Sequence, residues 1–104
     1  MNLKGTLPTL ILQTLSSPEP KHGYRIAQEI KAKSKGVLDF REGTLYPALH
    51  GLENRGLLES FEAPENGRVR RYYRLTEDGR KELAKERKEW KKLATGVRLV
   101  LEGA

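Results

Sequence analysis

The sequence predicts a mainly helical α+β protein, in which three short helices precede a β-hairpin and one long helix closes the chain. Three observations support this prediction. Apolar residues recur at helical spacing in three separate segments of the first half. An Asn66-Gly67 pair then separates two strand-like runs. A capped, highly charged segment follows, long enough for several helical turns.

The first helix is predicted from an apolar stripe formed by Leu3, Leu7, Leu10, Ile11 and Leu15. Thr6 is a candidate N-cap, which would put Pro8 in the first turn, where proline is tolerated. Pro18 and Pro20 end the helix, because proline cannot continue it.

The second helix is predicted from about His22 to Ser34, with a buried face made of Gly23, Ile26, Ala27 and Ile30. Cations near its end suit the helix dipole, and they are Lys31, Lys33 and Lys35. Gly36 ends this helix, and the apolar connector at residues 37–40 is a candidate minimal strand.

The third helix is predicted from about Gly43 to Arg55, and its buried stripe contains Leu45, Leu49 and Leu52. Gly56 follows at the position where left-handed backbone is common. Strands are predicted at residues 57–63 and 68–75, joined by a turn at residues 64–67.

Thr76 is the predicted cap of a long fourth helix that extends to about Glu102. Three helices followed by a hairpin form the winged helix-turn-helix arrangement, in which the hairpin is the wing. We therefore assign residues 1–75 to a winged helix-turn-helix domain and residues 76–104 to a C-terminal dimerisation helix.

Composition limits the class of protein. The 104 residues suffice for one domain, and the formal charge of +6 favours a polyanionic partner such as nucleic acid. The absence of cysteine excludes disulfides, thiolate zinc sites and a cysteine nucleophile. Polar residues interrupt the apolar N-terminal stretch, so we expect neither a signal peptide nor a membrane span, and a cytoplasmic protein.

The outer face of the third helix lacks long charged side chains, which suits entry into a major groove about 12 Å wide. It carries Thr44, Tyr46, Pro47, His50 and Gly51. Hydroxyls there would contact phosphate, and flat groups would contact base edges. The alternative is that Tyr46 is half-buried core and that Pro47 merely fixes the first turn. A lone histidine such as His50 is also commonly an ordinary surface residue.

The predicted wing is rich in arginine. Residues 66–74 (NGRVRRYYR) hold four arginines and no acid. Strand alternation sends Arg68 and Arg70 to one face and Arg71 to the other. Guanidinium groups on a protruding tip suit phosphates or a narrow minor groove. The alternative is an exposed strand that resists edge-to-edge aggregation. Tyr73 is expected to pack inward.

The start of the second helix adds three candidate DNA contacts, Lys21, Tyr24 and Arg25. Free N–H groups at a helix N-terminus favour a phosphate oxygen, and the basic residues beside them would add to this attraction. The alternative is an ordinary solvated face.

The fourth helix carries an apolar seam with heptad spacing, made of Leu83, Trp90, Leu93, Ala94, Val97, Val100 and Leu101. So small a domain cannot cover the far end of this helix, so we expect the same helix of a second copy to cover it. The alternative is a helix that folds back on the first helix. Trp90 would be dimer core, or would line an apolar cavity where a planar effector stacks.

Five stretches in order resemble one known family: GTL near the start, HGYRI at 22–26, GTLYPALHGLENRGLLES at 43–60, RRYYRLTEDGR at 70–80, and the tryptophan ten residues on. The chain resembles the PadR family of transcriptional regulators from Gly5 to about Leu101. The resemblance implies homodimeric, mostly ligand-responsive repressors, with a single C-terminal helix as in the short subfamily.

For individual residues, the resemblance implies that Thr44 and Tyr46 contact DNA in the major groove with His50 nearby, while the wing arginines touch phosphate or the minor groove. In multidrug-sensing members, a tryptophan aligned with Trp90 stacks on planar drugs between subunits. One departure is Gly51, where a larger and often basic residue is frequent; a backbone contact is weaker there.

An enzyme is not expected. His22 and His50 are the only histidines, no glycine-rich phosphate loop follows a strand, and Asp39 and Glu42 look like solvated neighbours. We therefore expect no catalytic residue, metal or cofactor. The expected partners are double-stranded DNA, a second copy of the chain and a small apolar or aromatic effector. The main alternative is a winged-helix module that binds protein or RNA.

Overall fold

The computed structural model describes residues 3–103, with side chains from Gly5 onward. Its elements are α1 (Leu3–Thr14), β1 (Lys21–His22), α2 (Gly23–Lys33), α3 (Glu42–Asn54), β2 (Leu58–Glu65), β3 (Arg68–Leu75) and α4 (Glu77–Leu101). Three helices, a hairpin wing and a long closing helix confirm the predicted winged helix-turn-helix fold.

Helix α1 begins earlier than predicted. It starts at Leu3, so Thr6 lies inside the helix instead of capping it, and Pro8 falls in the second turn. Its buried residues are Leu7, Ile11, Leu12 and Thr14, and Leu15 directly after the helix is also buried, whereas Leu10 is only partly buried. The side chain of Leu3, which was predicted to join this stripe, lies outside the described part of the chain.

The sheet contains a third strand that sequence periodicity did not reveal. Lys21 and His22 of β1 pair antiparallel with Tyr73 and Tyr72 of β3, and the strand order is β1-β3-β2. The minimal strand predicted at residues 37–40 is wrong, because this connector forms no ladder. It contributes a single buried side chain, that of Phe40.

The turn of the wing is shorter than predicted. Glu65 pairs directly with Arg68, so only Asn66 and Gly67 connect the two strands. Their φ angles are both positive, 49° and 77°, which is the requirement of the type I′ turn that matches strand twist. Strand β2 therefore continues through Pro64, which is tolerated because β2 lies at the edge of the sheet.

One apolar core unites the first three helices, the base of the wing and the start of α4. The stripe of α3 lies at its centre, with Leu45, Leu49 and Leu52 at most 2% exposed. Tyr73 packs inward as predicted and is 1% exposed. The same core includes Ile26, Ile30, Leu57, Leu58, Leu75 and Leu83. Burial of these side chains fixes which face of each element points outward.

The junction between the wing and α4 depends on Thr76, the predicted cap. Its Oγ1 accepts a hydrogen bond from the backbone N–H of Gly79 at 3.0 Å and donates to the carbonyl of Gly56 at 2.7 Å. Gly79 itself is buried against the carbonyl group of Leu57, at a distance that leaves no room for a Cβ atom. The start of α4 therefore requires glycine at position 79.

We predict that Gly79→Ala lowers the free energy of unfolding by about 3 kcal/mol, because the new methyl group overlaps a backbone oxygen that cannot rotate away. The matched control is Gly96→Ala in the same helix, where a Cβ atom meets nothing within 4 Å. That variant should gain roughly 0.5–1 kcal/mol from helix propensity. Urea unfolding followed by circular dichroism measures both; equal effects would contradict this view of the junction.

Candidate nucleic-acid interface

Helix α3 presents a face without long side chains. Thr44 is half-buried, and Pro47, His50 and Gly51 are exposed on the side opposite the leucine stripe. A Cβ atom on Gly51 would meet nothing within 4 Å. The two carboxylates of this helix, Glu42 and Glu53, lie near its two ends, so its centre is free of charge. This face can approach another surface closely.

Tyr46 belongs partly to the core. Its ring packs against the start of α2, where an ideal Cβ atom on Gly23 would lie 2.9 Å from the tyrosine Oη. The ring centroids of Tyr46 and His50 are 6.5 Å apart. The alternative in which Tyr46 is half-buried core is therefore correct for its packing. The same ring lies beside His50 on α3. Pro47 lies beyond the first turn of α3, so it does not fix that turn.

The wing is less basic than one strand suggests. Antiparallel pairing sets Glu59 opposite Arg74, Glu62 opposite Arg71 and Glu65 opposite Arg68. The hairpin from residue 58 to residue 75 therefore holds four arginines against three glutamates, a net charge of +1. The count of +4 is correct for residues 66–74 alone, and the facing strand offsets most of it.

The wing arginines differ in their freedom. Arg71 bonds Ser60 and Glu62, both at 2.9 Å, and Arg74 bonds Glu59 at 2.6 Å while its guanidinium lies 5.4 Å from the Phe61 ring centroid. The Nε of Arg70 lies 3.3 Å from Glu65. Arg68, beside the turn, is exposed and makes no ion pair with any residue the structure describes. It is the arginine best placed for an external anion.

The structure corrects the prediction for Lys21, whose side chain is only 6% exposed. Its ammonium group donates to the carbonyl of Thr14 at 2.9 Å and to Glu29 at 3.0 Å. Lys21 therefore joins the end of α1 to the middle of α2, and its buried ammonium group has a structural role. Burial follows from β1 pairing, since Lys21 faces the same side of the sheet as buried Tyr73.

Tyr24 and Arg25 do lie on the surface at the start of α2. Tyr24 is 57% exposed. Arg25 donates to Glu19 at 2.8 Å and its Nε lies 3.4 Å from Glu29, an arrangement that raises the pKa of the guanidinium. Contact with a phosphate would therefore compete with these carboxylates.

Sequence reasoning missed two cations between α2 and α3. Lys35 and Arg41 are exposed at the rim of an open groove of about 880 Å³, whose apolar wall includes Phe40, Leu45 and Tyr46. In the sequence, Lys35 has the position of a cation that favours the helix dipole, and the connector has no periodic pattern to mark Arg41. Lys35 follows the end of α2 and Arg41 directly precedes α3, so both add positive charge to the groove between these helices.

Helix α4 has two different halves. Its first half packs on α1, where the Thr9 hydroxyl donates a hydrogen bond to Glu86. The alternative in which α4 folds back on the first helix is therefore correct for this half. Leu83 belongs to the protomer's own core at 7% exposure, which corrects its assignment to the intermolecular seam. The second half exposes its large apolar side chains by 43–81%, and they are Trp90, Leu93, Val97, Leu99, Val100 and Leu101.

Most of these side chains share one face. We define the distal stripe as Trp90, Leu93, Ala94, Val97, Val100 and Leu101, which helical geometry places within one apolar arc. A shallow concavity of about 300 Å³ lies along it. Leu99 points away from the distal stripe, because it follows Val97 by two residues and two residues correspond to 200° of helical rotation.

The described residues offer no metal-binding cluster: none of their histidines, aspartates and glutamates form a group of three able to hold an ion. None of the helices within residues 3–103 has the length and apolarity needed to cross a membrane.

The fold and this surface define a winged helix-turn-helix DNA-binding protein. Residues 11–85 match the transcriptional regulator PadR-like family. The transcriptional regulator Rv3488 of Mycobacterium tuberculosis is 40% identical over 77 residues, which are 74% of this chain and 59% of that protein.

Solved structures agree with this match. The chain is similar to smu.1704 from Streptococcus mutans, with a TM-score of 0.83 and 34% identity over 98% of this chain and 91% of that one. A padr family transcriptional regulator from Eggerthella lenta gives a TM-score of 0.83 and 32% identity over 98% and 87%. The chain belongs to the PadR-like family of transcriptional regulators, which are non-enzymatic DNA-binding proteins.

We predict that Arg68→Ala weakens binding to all duplex sequences and lowers the slope of log affinity against log salt by about 0.9 for each phosphate that the side chain no longer neutralises. The matched control is Arg74→Ala on the same face of β3, because Arg74 is already paired with Glu59. This control should leave the salt slope unchanged. Fluorescence anisotropy with labelled duplex between 50 and 200 mM salt (roughly the range in which such slopes are measured) provides the comparison. Equal slopes for both variants and the unmodified protein would contradict a phosphate role for Arg68.

Proposed function

We propose that this protein is a homodimeric transcriptional repressor that binds a palindromic operator and responds to a small apolar or aromatic effector. The observation that carries the proposal is the distal stripe, an apolar face that the protomer itself leaves exposed. Contiguous apolar surface of this kind marks an interaction site. A second copy is the simplest partner, because two identical stripes can cover each other.

In the proposed complex, α3 enters the major groove with Thr44, Pro47 and His50 toward the bases. Tyr46 contributes its outer edge and is held in place by packing on Gly23. The uncharged centre of α3 favours this role, because nothing on that face opposes close approach. Tyr24 lies beside this surface at the start of α2 and would contact the flanking backbone.

The wing would follow the sugar-phosphate backbone or the minor groove. Arg68 has no competing carboxylate at ion-pair distance among the described residues, so we assign it the first phosphate contact. Arg70 and Arg71 would have to exchange their glutamate partners for phosphate, as would Arg25. We therefore propose weaker contributions from these three.

Two copies joined through α4 would present two α3 helices to one duplex. A two-fold dimer reads two half-sites about 34 Å apart or a multiple of that distance, and the operator is then palindromic. This role requires access to the genome, and we therefore propose a cytoplasmic location.

The effector is proposed to bind between the two distal stripes, where Trp90 offers a flat ring. A ligand that separates or tilts the two α4 helices would change the distance between the two α3 helices that contact DNA. The distal concavity is lined by Trp90, Leu93 and Val97, which suits a planar apolar molecule.

One observation favours a second candidate function, a winged-helix module for protein or RNA. The wing is nearly neutral, whereas a dedicated phosphate clamp would carry unpaired cations. Duplex affinity that does not depend on salt, or a preference for structured RNA, would support this candidate over operator binding.

We predict that Val97→Glu converts the protein into a monomer, because it buries two like charges at the two-fold seam. The matched control is Leu99→Glu, since Val97 and Leu99 are 43% and 45% exposed but lie on opposite faces of α4. Light scattering should give about twice 11.8 kDa for the unmodified chain and for the control. Val97→Glu should also lose affinity for a duplex with two half-sites. A monomeric unmodified protein would contradict the dimer.

We predict that planar aromatic compounds quench the emission of Trp90, the only tryptophan, and change operator affinity. Trp90→Ala should make operator affinity insensitive to the same compounds. Unchanged emission and unchanged affinity across a panel of planar cations and anions would contradict the effector site.

A further inference from the structure

His22 lies where the sheet, the second helix and the wing meet. Its backbone pairs with Tyr72 in the sheet, and its side chain is 14% exposed. The imidazole Nδ1 accepts a hydrogen bond from the backbone N–H of Arg25 at 3.1 Å, which caps α2. The ring also packs edge-on against Tyr72, with centroids 5.6 Å apart. The His22 side chain therefore contacts both α2 and β3.

Glu65 connects this imidazole to the tip of the wing. It is the last residue of β2, directly before the turn. Its carboxylate accepts a hydrogen bond from the Tyr72 hydroxyl at 2.9 Å and lies 3.3 Å from Arg70 Nε. The same oxygen lies 3.6 Å from His22 Nε2. The start of α2 and the end of the wing are thus joined through His22 and Glu65.

The cap requires the neutral imidazole. A neutral ring has one acceptor nitrogen, so acceptance at Nδ1 places the proton on Nε2, which faces Glu65. Protonation adds a hydrogen at Nδ1, where it would point at the N–H of Arg25. The cap is then broken, and a cation stands at the positive end of the helix dipole.

Charged groups from every neighbouring element bear on this proton. Burial and the Arg70 guanidinium of β3 lower the pKa of His22, Glu65 of β2 raises it, and Arg25 of α2 lowers it again. The pKa of Tyr72 is raised, chiefly by its hydrogen bond to Glu65, so that phenol stays neutral. The net result is a pKa for His22 below its ordinary value of 6.5.

The sign of the pH effect follows. Because the folded protein binds this proton more weakly than the unfolded chain, the stabilisation is complete above about pH 6.5 and is lost as the pH falls toward the folded value. The neutral form is the one that keeps α2 capped and tied to the wing.

We propose that His22 is a positioning residue for DNA binding, whose neutral imidazole holds the start of α2 in register with the wing and whose protonation releases the two. This inference rests on the proposed function, in which Tyr24 at the start of α2 and Arg68 on the wing contact the same duplex. It adds a pH-dependent step that sets the geometry of those contacts.

The test uses the unmodified chain as its background, because His50, which is proposed to face the bases, is then present in every protein compared and its effect cancels. His22→Ala and His22→Asn are compared with this background for duplex affinity between about pH 8 and 5.5 at fixed ionic strength, a range that spans the ordinary histidine pKa. Asparagine keeps an acceptor oxygen at the cap but does not titrate. The background should lose about five-fold more affinity on acidification than His22→Asn, since a cap contributes on that order. His22→Ala should be weak at every pH, and His22→Asn should restore binding at pH 8.

Thermal unfolding without DNA separates this inference from the proposed function. Below about pH 6.5 the melting temperature of the background should fall relative to that of His22→Asn. Parallel pH profiles for these two proteins, in affinity and in melting temperature, would overturn the role of His22. Failure of every variant to bind duplex, with the difference in melting temperature intact, would instead remove the proposed function and leave His22 as the pH-sensitive cap of α2.

Discussion

Burial of one leucine stripe on α3 is the constraint on which the rest of the structure depends. Leu45, Leu49 and Leu52 pack on α1 and on the base of the wing, and each is at most 2% exposed. Because successive helical residues are rotated by about 100°, this burial turns Pro47 and His50 outward and places Thr44 at the half-buried edge of the same face. The same core holds the base of the wing through Leu58, Tyr73 and Leu75. The position of the wing beside α3 is therefore a consequence of core packing, and the candidate interface needs no contacts of its own to assemble.

Much of this architecture was predictable because its signals are local. Helical spacing marks all four helices, Thr76 marks the start of α4, and Asn66-Gly67 marks the turn. What escaped prediction is decided by tertiary contacts. Strand β1 has two residues, too few for any alternation, and exists only because Tyr72 and Tyr73 are available to pair with it. The start of α1 was misplaced for a related reason: Thr6 has the chemistry of a cap, but the helix is already formed three residues earlier.

The charges of the candidate site show the same division. An arginine-rich strand is visible in the sequence, but its effect depends on register, and register places Glu59, Glu62 and Glu65 beside it. Counting the arginines of one strand therefore overestimates the positive charge of the whole hairpin. Lys21 shows the same effect of register. Its pairing with Tyr73 puts the side chain on the buried face of the sheet beside Glu29, and a shift of one residue would put it on the exposed face. Pro47 and His50 keep their predicted exposure because helical spacing fixed it directly, whereas Thr44 lies at the edge of that face and is half-buried.

Helix α4 carries two kinds of contact on one rigid rod. Its first half is bound to the protomer through Leu83 and through the Thr76 junction, where the wing's second strand becomes the helix. Its second half leaves the domain and exposes apolar side chains that polar solvent does not favour. A helix of 25 residues is about 37 Å long, so a small tilt at Trp90 becomes a displacement of the wing at the other end. The close packing of Gly79 on Leu57 holds the start of α4 against the base of the wing. We therefore propose that a surface covering the distal stripe also sets the position of α3 and the wing, and that this is how assembly is linked to DNA recognition in this chain.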